Sequence, residues 1–251
     1  MRPHTVVVMP AFNEAEGIEE FLHEIVQEFP DGLVQLVVVD DASSDGTTTA
    51  VIEAQRRGLP VRLVANEFNR GHGPSTLIAL RCGLEEAADV ITAVDGDGQF
   101  LGTDIAAVAE HARRSAAVAE GCRFDRAEPW FRRLVSAVTR LLVRTASGVS
   151  PRDANTPLRA YPTSLLRPLL ERLPSDLVTP NLIISAILRR EGESVIEVPV
   201  RSLARRGSQA VGSTWGQRAH LLPSRRFIIF CWRAIRQWAR LRGGAAVALR
   251  R

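Results

Sequence analysis

Short runs of β-branched and apolar residues alternate with helical stretches through the first half of the chain, and this alternation is the strongest constraint on the fold. The predicted strands cover residues 5–9, 33–39, 61–65 and 90–94. Between them, apolar residues recur at the three- and four-residue spacing of amphipathic helices. Strands and helices that alternate in this way form βαβ units with parallel strands. We therefore predict an α/β fold with a Rossmann-like, mostly parallel sheet flanked by helices.

The fourth predicted strand ends in the sequence DGDGQ, in which Asp95 and Asp97 are one residue apart and Gln99 follows. Open α/β sheets bind their ligands beyond the carboxyl ends of the strands. Two adjacent carboxylates repel each other unless a cation neutralises them, and hard oxygen ligands suit Mg²⁺ or Mn²⁺, which substrate phosphates also bind. The motif therefore predicts a metal–diphosphate site, and a surface Asp-Gly turn is the alternative.

Charged residues also follow the other predicted strands. Glu14 comes after the first strand, and Asp40 and Asp41 come after the second. Because parallel strands share one direction, we expect these carboxylates at the same edge of the sheet as the DGDGQ turn. A fifth strand is predicted over residues 116–122, and Arg123 follows it directly. Its guanidinium could pair with a phosphate at that edge; a solvated arginine is the alternative.

The second half of the chain continues with helices and one more strand. We predict an amphipathic helix over 130–146, a loop over 148–159 that carries Asp153, helices near 163–172 and 179–190, a strand over 194–200 and a loop over 205–216.

Composition limits the class of protein. The chain has 251 residues, 45% hydrophobic and 24% charged, which is ordinary for a globular protein. Its three cysteines form no CxxC pair, which favours reduced thiols and a cytoplasmic location. The sequence predicts neither a signal peptide nor a transmembrane helix, because it has no sufficiently long uncharged apolar run.

Positive charge is concentrated at the carboxyl end. Residues 198–251 contain 12 of the 32 basic residues, all of them arginine, and no Asp or Glu. The preceding 197 residues carry the other 20 arginines against 28 acidic residues, a net charge of −8. This asymmetry suggests that the carboxyl end meets a polyanion, either membrane phosphate or nucleic acid.

Residues 217–242 have the pattern of an amphipathic helix. One side would carry Phe227, Cys231, Ala234, Ile235, Trp238 and Leu241, and the other Arg225, Arg226, Arg233, Arg236 and Arg240. An arginine-rich face opposite Trp and Phe is typical of a helix in a membrane interface. Packing against its own domain or a second subunit is the alternative. We therefore divide the chain into a domain over 1–216 and a basic helix and tail over 217–251.

Five motifs in order resemble those of family 2 glycosyltransferases with the GT-A fold: PAFNE (10–14), VVVDDASSDGT (37–47), NRGHG (69–73), DGDGQ (95–99) and GCR (121–123). The second half is similar to the polyprenyl- or dolichyl-phosphate branch of that family, through RDANTPLRAY (152–161), TPNLIISAILRREG (179–192) and IEVPVRSLARRGS (196–208). The resemblance covers about residues 4–242.

The resemblance implies a GDP- or UDP-linked sugar donor. By the match of motifs, the base and ribose would be held by Pro10, Phe12, Glu14, Val39 and Asp41. The divalent cation and the diphosphate would be bound by Asp95, Asp97 and Gln99. Arg123 matches an arginine that reads the donor sugar or diphosphate, and Arg205 or Arg206 matches a basic loop that closes over the phosphates.

The same resemblance implies metal-dependent transfer with inversion, for which Asp97, Arg123 and Asp153 are the expected catalytic residues. A polyprenyl phosphate acceptor is already ionised and needs no strong base. A soluble or saccharide hydroxyl acceptor would need one, and Asp153 is the candidate. We expect a cytoplasmic enzyme attached to the inner face of the membrane through 217–242, and homo-oligomerisation stays open.

Other protein classes fit less well. A dinucleotide-dependent dehydrogenase requires GxGxxG after the first strand, where this chain has PAFNE. A nucleic-acid-binding protein would account for the basic end but not for its apolar Trp and Phe side. An inactive scaffold would not need acidic residues after three strands.

Overall fold

The computed structural model describes residues 4–30, 33–124, 130–207, 229 and 231–239. In these ranges the strands are β1 (Thr5–Ala11), β2 (Val34–Asp40), β3 (Val61–Ala65), β4 (Val90–Ala93), β5 (Val118–Arg123), β6 (Arg159–Pro162) and β7 (Val195–Val200). They form a seven-stranded sheet in the order β3-β2-β1-β4-β6-β5-β7.

Helices cover both faces of this sheet. They are α1 (Ile18–Gln27), α2 (Thr47–Arg56), α3 (His72–Glu85), α4 (Gly102–Ser115), α5 (Trp130–Ser147), α6 (Thr163–Arg172) and α7 (Pro180–Arg190). Helices α1, α2 and α4 pack on one face, whereas α3, α6 and α7 pack on the other, with α5 against α7. Alternate residues of β1 enter the two apolar layers, Val6 and Val8 on one side and Val7 and Met9 on the other. The predicted α/β fold is therefore confirmed.

Of the strands in the described ranges, β6 is the one that the sequence analysis missed, because it assigned no element between the loop that ends at residue 159 and the helix near 163–172. It has only four residues and no alternating pattern, and Pro157 and Pro162 flank or end it. Pairing with its neighbours makes it a strand, since it is antiparallel to both β4 and β5. Because β6 runs in the opposite direction, its first residue, Arg159, lies at the edge where the neighbouring strands end.

Residues 231–239 form a helix that packs against the sheet domain. The side chain of Gln237 accepts a hydrogen bond from the Val178 backbone N–H at 2.7 Å and donates one to the Asp176 carbonyl at 3.1 Å. Trp238 is buried in the apolar layer that also contains residues of α3, α6 and α7. The expected membrane-facing position is therefore wrong for Trp238. Apart from residue 229, the remainder of 217–242, including Phe227 and Leu241, lies outside the described residues.

Three other apolar side chains, one just before this helix and two within it, point into solvent: Ile229, Trp232 and Ile235 are 43%, 56% and 57% exposed. The guanidinium of Arg236 lies 4.4 Å from the centre of the Trp232 ring. In the described ranges, no helix combines the length and the apolar character needed to cross a bilayer.

Candidate active site

The candidate site lies beyond the edge of the sheet at which β1, β2, β4 and β5 end and β6 begins. Parallel pairing of β1 with β2 and β4 brings the turns after these strands side by side. Strand β5 has the same direction, because it and β4 are both antiparallel to β6. Glu14, Asp41, Asp95 and Arg123 therefore meet at one edge.

The two acidic residues after β2 organise the surrounding backbone. Asp40 accepts hydrogen bonds from the Ser43 N–H at 3.0 Å and from the Thr48 hydroxyl. Asp41 is buried and accepts hydrogen bonds from the backbone N–H groups of Arg70 and Gly71 at 2.8 and 2.9 Å. The carboxylate predicted to hold the donor base thus also fixes the loop over 66–71 as a wall of the site.

The turn after β1 is tied to the turn after β2. Asn13 accepts a hydrogen bond from the Ser44 N–H at 2.9 Å, and the Glu14 N–H donates to the Thr47 hydroxyl at 2.9 Å. Phe12 is half-buried, whereas Val39 is fully buried in the core. Only the backbone of Val39 is therefore placed to contact a nucleotide. Pro10 lies in β1, and its carbonyl accepts a hydrogen bond from the Gly96 N–H at 3.1 Å.

The DGDGQ turn brings two carboxylates together in a partly buried position. Burial, and then the neighbouring Asp95, raise the pKa of Asp97 to about 6. Gly98 has a φ of 68°, and a Cβ at that position would approach the Arg206 side chain to 2.6 Å. A glycine is therefore needed both for the left-handed turn and for the close approach of the 203–206 segment.

That segment, residues 203–206, crosses the DGDGQ turn. The Leu203 N–H donates to the Gln99 carbonyl at 2.9 Å, and the Arg206 N–H donates to the Asp97 carbonyl at 3.0 Å. The Gln99 side-chain nitrogen donates to the Leu203 carbonyl at 3.2 Å, so Oε1 is the atom that Gln99 can offer to a metal.

Adjacent arginines of the segment point in different directions. Arg205 forms a bidentate ion pair with Glu14, with Nε 3.0 Å from Oε2. Burial raises the pKa of Glu14 to about 7 although Arg205 opposes the shift, and the nearby Asp97 adds to it. Arg206 instead pairs with Glu24 on α1. Of the two arginines predicted to bind the donor phosphates, Arg205 is therefore the one whose side chain pairs with a carboxylate at the sheet edge, that of Glu14.

Arg123 and Asp153 form a second bidentate pair at this edge. Arg123 Nε lies 2.6 Å from Asp153 Oδ2, and Nη2 lies 3.1 Å from Oδ1. Both side chains are more than nine-tenths buried. Both carboxylate oxygens of Asp153 therefore face the guanidinium of Arg123, a geometry that orients an arginine well.

His72 lies at the site, although the sequence analysis assigned it no role. It is the first residue of α3, and its Nε2 lies 3.6 Å from Asp95 Oδ1. Its place between two glycines of the NRGHG motif was the signal available in the sequence.

The residues present fit a divalent cation that shares its shell with a diphosphate. Asp95 and Asp97 lie together in the DGDGQ turn, and in the described part of the chain neither has an arginine ion pair like that of Glu14 with Arg205. Within the described ranges, no group of three or more His, Cys, Asp or Glu side chains could hold a metal by itself. Carboxylate oxygens plus substrate oxygens make a set that Mg²⁺ and Mn²⁺ accept.

The family model for glycosyl transferase family 2 matches residues 6–172, about two thirds of the chain. The chain belongs to this family. The resemblance of its motifs to this family is thereby confirmed.

Curated relatives of this chain carry the names of undecaprenyl-phosphate sugar transferases. An undecaprenyl-phosphate 4-deoxy-4-formamido-L-arabinose transferase from Edwardsiella ictaluri is 30% identical over 79% of this chain and 60% of its own length. The protein of the same name from Pseudomonas syringae is 29% identical over 68% of this chain and 52% of its length. The chain therefore spans about half to 60% of the length of these relatives.

Solved structures confirm the GT-A architecture. The mannosyltransferase PcManGT from Pyrobaculum calidifontis, in complex with GDP-Man and Mn²⁺, matches 99% of this family 2 chain and 76% of its own at a TM-score of 0.59 and 21% identity. Glucosyl-3-phosphoglycerate synthase from Mycobacterium tuberculosis, with Mn²⁺ and UDP-Glc, matches 82% of this chain and 72% of its own at 0.58 and 19%. At these identities the likeness concerns the fold.

Proposed function

We propose that this chain catalyses metal-dependent, inverting transfer of a sugar from a nucleotide-sugar donor to a polyprenyl phosphate. The observation that carries the proposal is the sheet edge at which the Asp95–Asp97 turn meets two bidentately held arginines, Arg123 and Arg205. The names of the curated relatives support a lipid-phosphate acceptor. Undecaprenyl phosphate is the acceptor that we expect.

The donor would lie between the turn after β1 and the wall formed by Asp41 and the 66–71 loop. Phe12 and Asp41 would contact the base and ribose, together with the backbone of Pro10 and Val39. The diphosphate would lie over the DGDGQ turn, within reach of Arg205. The structurally similar proteins solved with GDP-Man and with UDP-Glc support a nucleotide sugar, and they support a GDP-linked and a UDP-linked donor equally.

The chemistry at this edge is the stabilisation of charge on the leaving nucleoside diphosphate. Asp95, Asp97 and Oε1 of Gln99 would hold Mg²⁺ or Mn²⁺, and the ion would supply positive charge beside the diphosphate. Arg123 and Arg205 would add preorganised positive charge as the sugar–phosphate bond breaks. Attack by an ionised phosphate oxygen on the opposite face of the sugar would invert the anomeric centre without a general base.

The alternative is transfer to a soluble or saccharide hydroxyl, with Asp153 as the base. The position of Asp153 argues against it, because both of its carboxylate oxygens already contact Arg123. A base must reach the proton that it removes. We therefore assign Asp153 the role of orienting Arg123.

A thermal-shift panel with GDP-mannose, UDP-glucose and a nucleotide-linked 4-deoxy-4-formamido-L-arabinose tests the proposed donor class. We expect one of them to raise the melting temperature in the presence of Mn²⁺, because ligand bound only by the folded state stabilises it. With EDTA the shift should shrink. An equal shift with and without Mn²⁺ would contradict the metal–diphosphate assignment. Free nucleoside monophosphates, which lack the diphosphate, serve as the matched control.

The helix over 231–239 would attach the enzyme to the inner face of the membrane. Because Trp238 is buried in the domain, the outward surface would be Ile229, Trp232 and Ile235 together with Arg233 and Arg236, all of which are exposed. Exposed apolar side chains beside arginines suit an anionic lipid surface. The domain boundary at residue 216 and a cytoplasmic location belong to this proposal.

We expect the double substitution Arg233→Gln and Arg236→Gln to weaken binding to phosphatidylglycerol vesicles by about 30-fold, since each arginine near an anionic leaflet contributes about 1 kcal/mol. Co-sedimentation at low salt measures this, and added salt should weaken binding of the unmodified chain. Arg113→Gln with Arg114→Gln, an exposed pair on α4, is the matched control. Equal loss in both double variants would contradict a specific membrane surface.

A further inference from the structure

Four charged side chains form a cluster beneath the loop that carries Asp153: Glu120 on β5, Arg159 on β6, Arg189 on α7 and Glu197 on β7. Arg159 Nη1 lies 2.5 Å from Glu120 Oε1, and Arg189 Nη2 lies 2.7 Å from Glu120 Oε2. Arg189 also lies 3.6 Å from Glu197. Glu120 therefore pairs with two guanidinium groups inside the protein, whereas Glu197 lies at the partly exposed margin of the cluster and also pairs with Arg152.

This cluster is costly to bury. Glu120 and Arg159 are fully buried, and Arg189 is nearly so. Burial opposes ionisation of Glu120, yet the guanidinium groups of Arg159 and Arg189 outweigh it and hold its pKa below the usual range. Apolar residues of similar volume often replace such a network without loss of stability. A geometric requirement is therefore a better explanation of the cluster than stability.

The cluster is attached to the loop backbone on both sides of Asp153. The Arg159 side chain donates hydrogen bonds to the carbonyls of Thr156 and Ala154, both at 2.9 Å. On the other side, Glu197 accepts a hydrogen bond from the Arg152 N–H at 2.8 Å. The loop over 152–156 is thus held by side chains of two strands of the sheet, β6 and β7.

These contacts connect the cluster to Arg123 through the loop that carries Asp153. Glu120 and Arg123 lie three residues apart on β5. Glu120 anchors Arg159, Arg159 anchors the loop, and Asp153 in that loop pairs with Arg123. A shift of the loop would therefore move the partner that orients Arg123.

We propose that Glu120 and Arg189 are positioning residues for the transfer step, because they hold residues 152–156 so that Asp153 orients Arg123 at the sheet edge. This inference rests on the proposed function for its catalytic consequence. Its structural part, the fixed loop, stands on the contacts alone and has its own measurement.

Hydrogen exchange on the full chain tests the structural part with Glu120→Gln and Arg189→Lys. Glutamine sets an NH₂ group against the guanidinium donors, and lysine keeps the charge but loses the bidentate fork. We expect amides of residues 152–156 to exchange at least about tenfold faster in both variants, while those of β1 stay unchanged. Glu110→Gln, which breaks an exposed ion pair on α4, is the matched control.

Transfer to undecaprenyl phosphate tests the catalytic part. In both variants kcat should fall by about 100-fold, because small displacements of a positioned group are costly. The nucleotide-sugar thermal shift with Mn²⁺ should stay at the value of the unmodified chain. A general structural role would lower donor binding as well and speed exchange in β1, which would overturn the inference.

Unchanged exchange over 152–156 in a folded variant would also overturn the inference. If Glu120→Gln does not fold, Arg189→Lys decides by the same criteria. If the unmodified chain transfers no sugar, the proposed function fails, and the exchange result alone then decides whether Glu120 and Arg189 fix the loop.

Discussion

Replacing Asp97 with alanine is expected to lower sugar transfer by roughly 100- to 1,000-fold, because the site loses part of the charge stabilisation of the leaving diphosphate. The fold should persist. The pKa of Asp97 is raised to about 6, so the folded state loses stability as this carboxyl ionises with rising pH. Above that pH the alanine variant removes this penalty, and its melting temperature should not fall.

Initial transfer rates and thermal melts at about pH 7.5 measure both quantities. Asp176→Ala is a matched control, because Asp176 is exposed and its described contact is through the backbone carbonyl. Near-normal turnover of Asp97→Ala would show that the DGDGQ turn does not hold the metal and diphosphate.

Replacing Asp153 with asparagine is expected to lower kcat by about 100-fold without changing the shape of the pH–rate profile. Asparagine can accept only part of the bidentate contact from Arg123, so the guanidinium loses its orientation. A general base would behave differently, since its protonation causes the loss of rate on the acid side.

The pH–rate profiles of the unmodified chain and of Asp153→Asn therefore separate the two roles. Parallel profiles support an orienting carboxylate and an ionised acceptor. If the acid limb disappeared in the variant, Asp153 would be a base and a hydroxyl would be the acceptor. Asp176→Asn controls for the loss of an aspartate charge elsewhere.

The parallel core of the fold could be predicted because its strands are continuous apolar runs. Val37, Val38 and Val39 in β2 are fully buried, and such a run is typical of a strand covered on both faces of a parallel sheet. The turns after β1 and β4 could be predicted as well, because acidic residues that follow parallel strands lie at one edge of the sheet. These local signals located the candidate site.

Other features depend on tertiary contacts that no local pattern encodes. Strand β6 contains a fully buried arginine, Arg159, and a charged residue normally predicts an exposed position. Its burial is compensated by the ion pair with Glu120 on a neighbouring strand and by hydrogen bonds to the carbonyls of Ala154 and Thr156. Trp238 was misplaced for a related reason: an amphipathic pattern shows that a helix has an apolar side, but not whether protein or lipid covers it.

Formation of a lipid-linked sugar tests the central claim most directly. The full chain would be incubated with the nucleotide sugar that gives the largest thermal shift, undecaprenyl phosphate and Mn²⁺, and the organic-phase product would be identified by mass spectrometry. We predict a sugar phosphodiester of undecaprenol, absent when EDTA is added or when Asp97→Ala replaces the unmodified chain. Transfer only to a water-soluble hydroxyl acceptor, or lipid product formed equally well with EDTA, would contradict the account.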